Sequence, residues 1–134
     1  MIPVRGLDHF VLRVQQLERA LAFYRDLLGL EVLCLDEFQA GQRPFVSLRI
    51  GGQLLDLVPD PSFAGAQAEP NSGFLHFCLL VEGKLQDFIP LLRERGVPLL
   101  DDQPAWRMGA RGWGWSVYVR DPDGYVVELK EWES

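Results

Sequence analysis

The sequence predicts an α+β fold made of two tandem βαβββ modules within one domain of 134 residues. Three observations predict it: a self-similar period of 67 residues, helical spacing of apolar side chains inside each period, and a hairpin signal near the end of each unit. A fixed internal period reveals architecture more directly than local propensity, because each repeat is one supersecondary unit.

Each module opens on a strand. His9-Phe10-Val11-Leu12-Arg13-Val14 parallels His76-Phe77-Cys78-Leu79-Leu80-Val81, and Gly29-Leu30-Glu31-Val32-Leu33 parallels Gly96-Val97-Pro98-Leu99-Leu100 at the same shift of 67. Side chains alternate across a strand, so His9, Val11 and Arg13 share one face while Phe10, Leu12 and Val14 turn toward a helix. That helix follows in Leu17, Ala20, Leu21, Tyr24, Leu27 and Leu28, and its counterpart in Leu85, Phe88, Ile89 and Leu92, spaced by three and four. Gly29 and Gly96 end the two helices. Pro90 sits inside the second, where a proline costs about 3 kcal/mol and predicts a kink.

Three strands then complete each module, at roughly 30–35, 43–50 and 52–58 in the first and 97–101, 112–120 and 125–131 in the second. Module one covers about 5–58 and module two about 74–132, with a linker rich in Pro, Gly, Ala and Ser at about 59–73. A two-residue Gly51-Gly52 turn sets Ile50 opposite Gln53, Ser47 opposite Asp56 and Arg49 opposite Leu54. The Asp121-Pro122-Asp123-Gly124 turn pairs Asp121 with Tyr125 and Tyr118 with Glu128. Segment 101–112, with Trp106, Arg107 and Arg111, reads as a mobile cover, and Trp113 with Trp115 as core.

Composition bounds the function. With 48% hydrophobic and 24% charged residues the chain can bury a core. No apolar run reaches the roughly 18 residues of a membrane span, and the N-terminus lacks the apolar core of a signal peptide. A cytoplasmic protein with no membrane partner is expected. The net charge of -6 and the absence of a Lys/Arg cluster exclude a nucleic-acid partner. Cys34 and Cys78 lack metal-type spacing and are expected as free thiols.

The chemistry-bearing residues follow the repeat. The only two histidines, His9 and His76, are repeat-equivalent, and Asp56 and Glu128 each lie four residues past the hairpin glycine of their module. Their offset of 72 implies a five-residue insertion in module two. A carboxylate among aliphatic neighbours needs a cation, a metal or several donors. A lone strand histidine is usually a core group, but two equivalent histidines with two equivalent carboxylates point to a metal. Two nitrogen and two oxygen donors suit Zn, Ni, Co, Mn or Fe(II) without choosing among them. Ser47, Arg49, Ser116 and Tyr118 fall on the same face and are the expected substrate contacts.

Almost the whole chain resembles the vicinal oxygen chelate superfamily, which includes glyoxalase I, ring-cleaving dioxygenases and the fosfomycin- and bleomycin-resistance proteins. The matching segments are Gly6 to Val14, the helix Ala22-Phe23-Tyr24-Arg25-Asp26-Leu27-Leu28-Gly29-Leu30, the strand from His76, and Asp121-Pro122-Asp123-Gly124-Tyr125-Val126-Val127-Glu128. The resemblance implies a cupped mixed sheet with helices on its outer face, around one divalent metal held by His9, Asp56, His76 and Glu128. It implies a metal-dependent lyase or isomerase in which Glu128, seconded by Asp56, moves a proton. The alternatives are an Fe(II) ring-cleaving dioxygenase using His9, His76 and Glu128, and a non-catalytic drug-binding protein. A homodimer acting on a small molecule is the implied assembly. Arg13 matches an arginine that contacts glutathione in glyoxalase I, whereas Asp60 stands where that enzyme has a neutral asparagine. Val11 stands where the fosfomycin enzymes have threonine.

Overall fold

The computed structural model describes residues 1–69 and 72–132. Residues 70 and 71 of the expected linker, and 133 and 134, lie outside the described residues. The chain divides into two compact units, Met1–Gly65 and Ala66–Ser134, with the boundary inside the segment read as a linker.

Unit one runs β1 (His9–Val14), α1 (Leu17–Leu21) continuing as a π-helical segment Ala22–Leu27, β2 (Glu31–Leu33), α2 (Leu35–Gln39), β3 (Val46–Ile50) and β4 (Gln53–Pro59). Unit two runs β5 (Phe77–Val81), α3 (Leu85–Glu94), β6 (Ala105–Gly109), β7 (Gly112–Arg120) and β8 (Val126–Glu131). The two sheets have matching orders, β1-β4-β3-β2 and β5-β8-β7-β6. In each, the first strand runs parallel to the last and the remaining pairs are antiparallel. This is the α+β, tandem βαβββ architecture expected from the repeat.

Alternation sorts the faces as the sequence implies. Leu12, Val14, Val46, Leu48, Leu55 and Leu57 are 0–5% exposed, as are Ala20, Leu21, Phe23 and Tyr24 of the first helix. Unit two buries Val117, Val119, Val127 and Leu129 with Leu85 and Leu92 of α3, which packs on β7 and β8. Pro90 lies inside the assigned helix Leu85–Glu94 on an exposed position. The loss of one backbone donor there does not divide the helix.

Both hairpin registers match expectation. Ile50 opposes Gln53 and Ser47 opposes Asp56, around a turn whose Gly51 has φ 56°. Tyr118 opposes Glu128, and the Asp121 amide donates to the Tyr125 carbonyl at 2.9 Å. Asp121 Oδ1 also accepts from the amides of Asp123 and Tyr125, both at 2.9 Å, which fixes the turn ahead of Glu128.

Three expectations are corrected. Residues 101–112 include strand β6, paired to β7 from Ala105↔Ser116 to Gly109↔Gly112, rather than forming a loose cover. The expected strand 97–101 is reduced to one bridge, Leu99↔Val119. Trp113 and Trp115 are 58% and 43% exposed instead of core. They share a face with Val117 and Val119, the stretch that α3 covers, and the hairpin continues with Trp115 facing Trp106 edge-on at 5.0 Å. An unforeseen short helix, α2, stands between β2 and β3, entered through Cys34 at φ 65°.

Candidate functional site

The face of each sheet away from its helix carries the expected polar residues. In unit one, His9, Val11 and Arg13 come from β1, Asp56 from β4, and Ser47 and Arg49 from β3, with Val11 paired to Asp56. In unit two, His76 immediately precedes β5, Cys78 pairs with Glu128, and Tyr118 opposes Glu128 from β7.

Glu128 is 6% exposed and is satisfied from two sides. Its Oε2 accepts a hydrogen bond from Ser116 Oγ at 2.7 Å, and its Oε1 lies 3.1 Å from His76 Nε2. An imidazole nitrogen and a carboxylate oxygen brought together in this way are a donor pair that would suit a divalent ion. Tyr118 stands edge-on to the His76 ring at 5.4 Å, and Arg107 lies over Tyr118 at 5.9 Å. Burial, then the Glu128 carboxylate, pushes the Tyr118 hydroxyl above its ordinary pKa and keeps it a donor. Cys78 is exposed at the surface, yet partial desolvation of its sulfur and then Glu128 push its thiol up to about 12.

The unit-one half is built differently. Asp56, 7% exposed, accepts from Ser47 Oγ at 2.6 Å through Oδ1, and Arg43 donates to Ser47 Oγ at 3.3 Å. His9 Nδ1 lies 2.7 Å from Asp8 Oδ2, which leaves Nε2 for another partner. That hydrogen bond is the largest cause of a raised His9 pKa, with the Asp56 charge a smaller one. A carboxylate on the second ring nitrogen is the common way a ligating imidazole is oriented. Donor types therefore fit a divalent ion in both units, each presenting one imidazole and one carboxylate. Among the described residues no three His, Cys, Asp or Glu side chains gather as a cage.

The remaining expected contacts divide. Arg13 is engaged with Asp60 at 3.6 Å and lies over the Phe63 ring at 5.5 Å. Hydrogen bonds from Ser62, and then Arg13, hold Asp60 below the usual carboxylate range. Arg49 is exposed on the site face, whereas Ser47 and Ser116 are 4% and 0% exposed. Arg107, Cys78 and Lys130 were not among the expected site residues. The alternation from His76 places Cys78 on the same face, whereas Arg107 lies in a segment with the glycines and charges of a loop, and only its pairing to β7 brings it to the site.

A family model for the Glyoxalase/Bleomycin resistance protein/Dioxygenase superfamily matches residues 6–129. The chain belongs to this superfamily. Among its relatives, a metallothiol transferase FosB from Shouchella clausii is 28% identical over 94% of this chain and 80% of its own. A probable lactoylglutathione lyase from Synechocystis sp. is 26% identical over 92% of both chains. The crystal structure of virulence protein STM3117 from Salmonella typhimurium superposes with a TM-score of 0.74 at 25% identity, covering 97% of this chain and 98% of that one. Superfamily members commonly use a divalent metal and often act as dimers on small molecules. Among the described residues no helix is long and apolar enough to cross a membrane.

Proposed function

We propose that the protein is a divalent-metal-dependent, glyoxalase-like enzyme, a lyase or isomerase that acts on a small oxygen-bearing molecule through enolate chemistry. The observation that carries this reading is the 3.1 Å approach of His76 Nε2 to Glu128 Oε1, made by a nearly buried carboxylate. Likeness to a protein named as a lactoylglutathione lyase and to one named as a metallothiol transferase supports metal-dependent chemistry.

In this reading His9, Asp56, His76 and Glu128 hold the metal, which is Zn, Ni, Co, Mn or Fe. A bound ion supplies a Lewis acid that draws charge from a substrate carbonyl or enediolate oxygen. Glu128 is the residue that would take the proton from the carbon beside that carbonyl and return it to the neighbouring carbon. Asp56 is its counterpart from module one. Tyr118, kept protonated, donates to a substrate oxygen, and Arg49 and Arg13 contribute positive charge on the same face as the module-one donors. The Asp60 partner of Arg13 weakens any attraction for a glutathione carboxylate, so a substrate other than a glutathione adduct is favoured. The working form is taken as a homodimer, as superfamily members often are, and its place as the cytoplasm.

The test is elemental analysis of protein purified without chelator or affinity metal, beside a His76→Ala variant. Near-stoichiometric divalent metal that is lost in the variant is expected. Equal metal content in the two would overturn the proposal. Metal-free wild-type protein would favour a drug-binding role, and oxygen uptake with a catechol after anaerobic Fe(II) loading would favour ring cleavage.

A further inference from the structure

Each module's carboxylate is met by a serine hydroxyl from the neighbouring antiparallel strand, but from a different register position. Ser47 stands directly opposite Asp56, whereas Ser116 stands opposite Lys130, two residues beyond Glu128. Directly opposed Cβ atoms across an antiparallel pair are about 5 Å apart and diagonal neighbours are about 7–8 Å apart. The shorter aspartate meets the opposed serine at 2.6 Å, and the glutamate, one methylene longer, meets the diagonal serine at 2.7 Å. In module two this leaves the directly opposed place to Tyr118. The two modules thus reach one arrangement by matching side-chain length to register. Both serines are buried, so each hydroxyl has its acceptor in the protein rather than in water.

We infer that Ser47 and Ser116 are positioning residues that hold one oxygen of each carboxylate and leave the other as a single aimed donor. The inference rests on the metal reading above and assigns the serines a part in it other than substrate contact. In module two the division is complete: Oε2 belongs to Ser116 and Oε1 faces His76 Nε2. A carboxylate so held would offer an ion one oxygen rather than both. In module one the Ser47 hydroxyl also accepts from Arg43, so its only proton is directed at Asp56. Removing a hydrogen-bonded partner of a ligand typically lowers metal affinity 10–100-fold.

The experiment uses Co(II) as the probe, with affinity from competition against a chromogenic chelator and coordination from the visible absorption of bound Co(II). Wild type, Ser116→Ala, Ser116→Thr and Ser47→Ala are compared, with melting curves as the check on folding. The expected result is Co(II) affinity about 10–100-fold weaker in both alanine variants, an altered spectrum, and recovery of both by threonine, which keeps the hydroxyl. If Ser116→Ala does not fold, Ser47→Ala carries the same test in the other module. Alanine variants that match wild type in affinity and spectrum would overturn the inference and leave the metal reading standing. A wild-type protein that takes up no Co(II) would overturn both.

Discussion

In module one the histidine leans on its chain neighbour, with His9 Nδ1 at 2.7 Å from Asp8, whereas in module two His76 turns Nε2 toward the carboxylate it is proposed to share a metal with, at 3.1 Å. The sheets that present them have the same strand order and parallel pairing. What differs is the next residue inward: the histidine is followed two positions later by Val11 in one module and by Cys78 in the other, and the carboxylate is aspartate in one and glutamate in the other. Duplication has kept the backbone frame and let the donors diverge. Module two has its nitrogen and oxygen in mutual contact, while module one orients each donor separately.

That comparison makes the two carboxylates unequal, and their removal is the largest expected effect. Glu128→Gln should abolish stoichiometric metal uptake and activity, because it removes the anion from the preassembled pair. Asp56→Asn, which keeps an oxygen for Ser47 and a neutral oxygen for the ion, should weaken metal binding without abolishing it. Elemental analysis and chelator competition on the two variants check this. Equal losses would mean that the modules contribute equally and that the preassembled contact carries no special weight.

The residues make plain why some of this was legible and some was not. Registers around Gly51-Gly52 and Asp121-Pro122-Asp123-Gly124 follow from turn chemistry, so the facing of Ser47 to Asp56 and Tyr118 to Glu128 could be read directly. The Ser116 contact could not, because a diagonal bond depends on side-chain length as well as register. Arg107 was hidden for another reason. Its segment has the glycines and charges of a loop, and only pairing to β7 shows that Trp106, Arg107 and Met108 alternate across a strand. Trp113 and Trp115 show the converse limit, since apolar alternation marks a face without saying how far the covering helix reaches.

A smaller effect sharpens the comparison two positions after each histidine. Cys78 pairs with Glu128, and burial with that negative charge holds its thiol pKa up to about 12. At pH 7 to 8 it is therefore overwhelmingly protonated, and alkylation by iodoacetamide should be much slower than that of an ordinary thiol. Glu128→Gln removes the charge but not the burial, so the rate should rise by only part of the deficit. A rate in wild type equal to that of a free thiol would show that neither desolvation nor the Glu128 charge acts on the Cys78 sulfur.

The smallest effect concerns the Asp8 contact that distinguishes module one. Its hydrogen bond raises the His9 pKa above the ordinary 6.5, chiefly by favouring the charged imidazolium. A group with a raised folded-state pKa stabilises the fold below its unfolded pKa, and that contribution is lost as pH rises through the folded value. Because the ring and Asp8 are both exposed, the stability change should be slight. The titration itself is the sensitive measurement. By NMR of metal-free protein, His9 should titrate above 6.5, and Asp8→Asn should move its midpoint downward. The same substitution should leave module two's half of the metal site intact and weaken metal binding by less than Asp56→Asn does. If Asp8→Asn leaves the His9 midpoint unchanged, Asp8 does not orient the ring, and the separate preparation of donors in module one would rest on Ser47 and Arg43 alone.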